Sequence, residues 1–246
     1  MGAGRALPRF VIVTSTAGSV MGTLLRVPYF RAALHSVVAD RDCPAVPKAL
    51  DFGIPVEIVR GRSQDAFCAQ LLAYLERHRV DYVISFYGKL FVGAILDVYR
   101  DRILNLHPSL LPAFKGLDGV RDALASGVRY VGTTIHFIDE KMDEGKILLQ
   151  TAWPVDPTSD LRRVRHRLFE QQCRSLLQTV KWLADGRVRI AGNQVIVAGA
   201  TYEDLEFAPN LDWDEAIRLR VPFPGELDWR PPGAVIAAGP DGAPGG

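Results

Sequence analysis

The run Asn105-Leu106-His107-Pro108-Ser109-Leu110-Leu111-Pro112 carries residue types suited to acyl chemistry. Asn105 and His107 are two apart, and in an extended chain such residues project from one face. An amide donor and an imidazole then converge on a single oxygen. Pro108 and Pro112 stiffen the turn that holds them. A second cluster starts at Thr133 and runs through Thr134, Ile135, His136, Phe137, Ile138 and Asp139 into the loop Glu140-Lys141-Met142-Asp143-Glu144-Gly145. A simple hairpin does not require that concentration of acid. A carboxylate from it placed beside His107 favours the imidazolium and orients the ring. Together these are the parts of an acyl-transfer site. Taken alone, Asn105 and His107 fit equally well a strand end whose side chains satisfy nearby backbone groups. His136, on a strand face, reads as a packed structural histidine.

The elements that must position these residues follow from apolar spacing. Arg9–Ser15, the HSVVADRD run, Ile54–Val59 and Asp81–Gly88 are compact runs containing Val or Ile and read as buried strands. Between the last two, Phe67, Leu71, Leu72 and Leu75 recur at helical spacing within Gln64–Arg79, an amphipathic helix covering the sheet. RILNLHPS supplies a fifth strand and YVGTTIHFID a sixth, with ILLQTAWPV as an antiparallel partner. The alternation predicts an α/β fold with a mostly parallel sheet, covering helices and an antiparallel edge. In such sheets ligands bind beyond the carboxyl ends of the strands, where Asn105 and His107 fall. Ser159-Asp160 caps a long helix to about Ala184, and the DGR after it supplies a glycine stop. Beyond Ala198 the periodicity weakens. The stretch from Tyr202 to Trp229 mixes acids with Tyr202, Phe207, Trp213, Phe223 and Trp229, fit to wrap the body or to complete a pocket. The closing PPGAVIAAGPDGAPGG is expected to be mobile. The division predicted is a catalytic domain over residues 9–198 and a C-terminal extension over 199–246.

At 246 residues and 48% hydrophobic content the chain can bury a substantial core. With 29 basic against 28 acidic residues it has no electrostatic footprint for nucleic acid or an anionic membrane, which favours small-molecule chemistry. Cys43, Cys68 and Cys173 are odd in number and in no CxxC pair, arguing against a disulfide framework or a structural zinc. No apolar run reaches the roughly 18 residues of a membrane span, and MGAGRALPRF lacks a signal-peptide core. The expectation is a cytoplasmic protein, a monomer or homodimer.

The stretch from Arg102 to Val155 resembles the folate-dependent formyltransferases. NLHPSLLPAFKG, the ALASG helix end and VGTTIHFIDEKMDEGKILLQTAWPV match that family in order and spacing, and weaker similarity spans roughly residues 9–190. Within the family it is most similar to the phosphoribosylglycinamide formyltransferases of purine synthesis. The resemblance implies a Rossmann-like formyltransferase fold, a twisted sheet with helices on both faces. It places the catalytic asparagine, histidine and aspartate on Asn105, His107 and Asp143. It implies formyl-tetrahydrofolate as co-substrate, a small-molecule amine as acceptor, direct transfer without a covalent enzyme intermediate, and no metal. The folate pocket would be lined by Tyr87, Lys89, Leu90 and Phe91 with Ile138 and Asp139, although FYGKLF departs from the family's Met-Arg-Ile-Leu character.

The same resemblance puts an acceptor phosphate on the turn Thr16-Ala17-Gly18-Ser19-Val20, where Thr16, Gly18 and Ser19 would meet substrate, and aligns a ribose-binding glutamate with Gln172. Here one glycine of the family turn is replaced, its final asparagine is Val20, and Gln172 is neutral. These departures fit a specialised biosynthetic N-formyltransferase. Formyl-tetrahydrofolate deformylases and amino-sugar N-formyltransferases share parts of the pattern. The deformylases carry a further domain ahead of the catalytic one, and eight residues precede the first strand here. A binding protein that keeps folate or a nucleotide without turnover is the alternative from another class.

Overall fold

The computed structural model describes residues 6–116 and 118–223. Its strands are β1 (Phe10–Thr14), β2 (Leu34–Ala39), β3 (Val56–Ile58), β4 (Tyr82–Phe86), β5 (Ile103–His107), β6 (Tyr130–Phe137), β7 (Ile147–Pro154), β8 (Val188–Ala191), β9 (Gln194–Val197) and β10 (Phe207–Ala208). The helices are α1 (Ser19–Leu24), α2 (Pro28–Ala33), α3 (Ala45–Asp51), α4 (Gln64–Arg77), α5 (Ile95–Val98), α6 (Gly119–Ala125), α7 (Leu161–Ala184) and α8 (Asp214–Arg218).

Eight strands form one sheet in the order β10-β7-β6-β5-β4-β1-β2-β3. The five from β5 to β3 run parallel, while β6, β7 and β10 add antiparallel pairings. Every residue of β1 is buried. Phe10 and Ile12 enter one core cluster and Val11 and Val13 the other, so the central strand is apolar on both faces because both are covered. The chain leaves β1 toward β2 and β3, then returns to β4 on the other side. That reversal opens a crevice at the carboxyl ends of β1 and β4.

Helix α4 is capped by Ser63, whose side chain accepts the Ala66 amide, and buries Phe67, Leu71 and Leu75. Asp160 caps α7 through the Arg162 amide. Past its end Gly186 takes the left-handed conformation (φ 68°) that a helix stop favours. The run around Ile58 is shorter than its composition suggests: β3 is a three-residue edge strand, hydrogen-bonded on one side only. The β8–β9 hairpin, turning at Gly192, is a second small sheet that apolar spacing left unassigned.

The boundary drawn at 198 cuts the main sheet, since β10 lies beyond it and pairs with β7. Residues 199–223 wrap the body. Gln178 in α7 donates to Asp212 and accepts the amides of Asp212 and Trp213, and Trp182 Nε1 also donates to Asp212. Trp213 meets Tyr29 edge-on at 4.8 Å. Trp229 and the Pro/Gly/Ala-rich run lie outside the described residues. Among those described, no helix is long and apolar enough to cross a membrane.

Candidate active site

Strand β5 ends the parallel part of the sheet, and β6 runs back along it with Asn105 opposite His136 and His107 opposite Thr134. Directly opposed residues of an antiparallel pair share a face. Asn105 Nδ2 accordingly lies 3.1 Å from His136 Nε2. The loop after β6 folds back over this face. Its base is closed by the Phe137 amide donating to the Lys146 carbonyl, and Gly145 packs so tightly that a Cβ there would fall 1.6 Å from the Phe137 oxygen.

That loop delivers Asp143, which adopts a left-handed backbone conformation (φ 54°). Its Oδ2 accepts the Gly116 amide at 2.9 Å and lies 3.5 Å from His107 Nδ1; its Oδ1 lies 3.7 Å from His136 Nε2. Burial by itself would raise the Asp143 carboxyl. The neighbouring His136, the Gly116 N–H and the His107 ring outweigh it and hold the group below the ordinary carboxylate range. His107 is buried, and its Nε2 donates to the Phe114 carbonyl at 2.8 Å. Both ring nitrogens thus face oxygen acceptors. Gly119 makes the contact possible, because a Cβ there would sit 2.8 Å from the Phe114 oxygen and 3.3 Å from His107 Nε2.

A cavity of about 280 Å³ opens beside these groups, beyond the carboxyl ends of β1, β4 and β5. Asn105, His107, Asp143 and His136 line it together. Of the residues expected at a folate pocket, Tyr87, Lys89, Leu90, Phe91 and Ile138 are on its wall. Tyr87 stacks on Phe67 at 4.7 Å, and its hydroxyl is pushed up to about 12 by burial and then by Asp40, so it stays neutral. Lys89 Nζ lies 3.8 Å from Asp40, and the Leu90 carbonyl accepts from Gln64 Nε2. Asp139 is not on the wall; its carboxylate accepts the Lys141 amide and braces its own loop. Of the expected acceptor contacts only Thr16 lines the cavity. Gly18 (φ 63°) is pressed against Ala45, Ser19 opens α1, and Gln172 sits half-buried in α7 away from the wall.

His136 is buried as expected of a core histidine, yet it also faces the cavity and touches the Asn105 amide. Strand alternation alone cannot say which neighbour a buried imidazole meets. Gly116, Phe114 and Gly119 were missed because they act through backbone groups and through space, which leave no periodic trace.

The sequence matches the formyl transferase family over residues 9–180. The chain belongs to that family. Among formyl transferases it is similar to the phosphoribosylglycinamide formyltransferase of Mycobacterium tuberculosis, 35% identical over 190 residues that cover 75% of this chain and 88% of the relative. Its structure resembles glycinamide ribonucleotide transformylase 1 from Symbiobacterium toebii, with a TM-score of 0.74 and 31% identity over 80% of this chain and 97% of the other. A formyltetrahydrofolate deformylase from Pseudomonas syringae shares the fold, with a TM-score of 0.70 at 20% identity over 78% of this chain and 66% of the other. The formyl transferase match ends at residue 180. The α7 clamp on the C-terminal segment therefore straddles the family boundary, with Gln178 inside it and Trp182 and Asp212 outside.

Proposed function

We propose that the protein transfers a formyl group from formyl-tetrahydrofolate to the amine of a small molecule, with Asn105, His107 and Asp143 as its catalytic residues. The observation that carries this reading is their meeting on one cavity whose wall is otherwise largely aromatic and aliphatic. A flat pterin fits against Tyr87, Phe91 and Ile138. The acceptor amine attacks the formyl carbon, a C–N bond forms, and the carbonyl oxygen becomes an oxyanion. Asn105 Nδ2 carries two hydrogens, and one of them donates to that oxygen. Asp143, 3.5 Å from His107 Nδ1, orients the ring. The amine's surplus proton passes by way of the carboxylate to the departing folate nitrogen as the old C–N bond breaks.

In the conformation seen, His107 Nε2 is occupied by the Phe114 carbonyl. For His107 to share the oxyanion with Asn105, that carbonyl must withdraw.

Phosphoribosylglycinamide formyltransferase relatives support glycinamide ribonucleotide as the first acceptor to try. The Thr16–Val20 turn and neutral Gln172 favour a different amine of specialised metabolism. The test follows tetrahydrofolate release from formyl-tetrahydrofolate with and without glycinamide ribonucleotide. Release that needs the ribonucleotide establishes the purine reaction. Release in its absence indicates hydrolysis instead. Donor binding without release in either tube moves the search to other amines, and absence of donor binding overturns the proposal.

A further inference from the structure

The three parallel strands whose carboxyl ends build the active site have a common opposite pole. Arg9, Asp81 and Arg102 are the residues immediately before β1, β4 and β5, so parallel pairing sets them side by side. The backbone locks the row: the Asp81 amide donates to the Arg9 carbonyl, the Val83 amide to the Arg102 carbonyl, and the Arg9 amide to Asp81 Oδ2 at 2.7 Å. A cavity of about 420 Å³ opens here, lined also by Arg79 from the turn after α4, by Tyr82, and by Leu183 near the end of α7.

Three arginines and one aspartate therefore line this cavity, and none of the three arginines is ion-paired among the described residues. The lone carboxylate is engaged by a backbone amide. Helix carbonyls oppose the excess, since α4 and α5 end at this pole. Arg9 NH1 covers one by donating to His78 O at 2.9 Å, and Arg102 covers another by donating to Val98 O. Each contact uses one of five guanidinium N–H groups, and the Arg102 guanidinium also lies over the Tyr99 ring, 4.3 Å from its centroid. Arg79, held at φ 52°, spends none on an acceptor among the described residues. Guanidinium forks match the oxygens of phosphate groups, and several together suit an anion carrying more than one charge.

We propose that this pole is a binding site for a diphosphate group, free as pyrophosphate or carried by a nucleoside diphosphate whose body rests on Leu7, Pro8 and Leu183. It lies at the opposite ends of the strands from the formyl-transfer cavity and shares no lining residue with it.

The test is isothermal titration of the full chain with ADP, inorganic pyrophosphate and adenosine, repeated on Arg79→Glu. Saturable binding of ADP or pyrophosphate but not adenosine is expected, weakened about 10- to 100-fold in Arg79→Glu, the loss associated with a charged hydrogen bond. ADP binding tighter than pyrophosphate identifies the nucleoside diphosphate, and equal affinities identify the free anion. Thermal melting without ligand checks that Arg79→Glu folds as the wild type does. No saturable binding of either anion to the wild type, or equal affinity in a folded Arg79→Glu, overturns the proposal, as does equal binding of adenosine and ADP.

Discussion

Replacing Asp143 by asparagine isolates the charge on the carboxylate from its shape. The amide oxygen can still accept the Gly116 N–H that the carboxylate accepts at 2.9 Å, so the loop keeps its anchor. What disappears is a negative charge 3.5 Å from His107 Nδ1. Against a charged ring, and at an effective dielectric of about 20, that charge is worth about 5 kcal/mol. Part of this is offset, because a neutral amide is cheaper to bury than a carboxylate. A residual loss of about 3–4 kcal/mol corresponds to a fall in kcat of about 10²–10³-fold. The assay is single-turnover transfer from formyl-tetrahydrofolate to whichever amine supports release, across a pH series. In the wild type the carboxylate is ionised at and above its ordinary range, because its neighbours hold its pKa down. An acid limb from Asp143 is therefore confined to pH values below about 3.8, and Asp143→Asn removes it while lowering the plateau. A folded Asp143→Asn enzyme with near-wild-type kcat would refute the proposed role of the charge.

Gly145→Ala should lower kcat by about 100-fold or more, because a Cβ 1.6 Å from the Phe137 oxygen must push the loop, and Asp143 with it, by over an ångström; rapid-quench transfer alongside thermal melting separates this from simple unfolding. His35 Nε2 lies 3.2 Å from His78 Nδ1, and burial, then His78 and Arg9, lower the His35 pKa. A histidine harder to protonate when folded contributes stability that is present above about pH 6.5 and lost as the pH falls through its folded value. Urea midpoints should therefore drop between pH 7.5 and 5.5, and His35→Gln should flatten that dependence. Gln178→Ala removes the acceptor of the Asp212 and Trp213 amides, at a cost of about 1–2 kcal/mol. It should release the segment after Ala198 to limited proteolysis before the rest of the chain, and unchanged cleavage would show that the clamp does not hold it.

The sequence by itself determined the strands and helices with continuous or periodic apolar patterning. β1, β4 and α4 were legible because burial on both faces of a strand, or along one stripe of a helix, leaves a regular trace in composition. It also determined which residue types could do chemistry, since Asn105 and His107 share a strand face and Asp143 sits in an unusually acidic loop. Only the tertiary structure decided what these groups meet. The fold-back after β6 sets Asp143 against His107, the antiparallel register sets His136 against Asn105, and the Phe114 carbonyl covers His107 Nε2. It also removed Asp139 from the cavity wall and left Gly18, Ser19 and Gln172 away from it. The physical reason is range. Periodicity records the contacts a residue makes through its own element, whereas loop closure, backbone donors and the pole shared by Arg9, Asp81 and Arg102 join residues distant in the chain, and no local pattern encodes those distances.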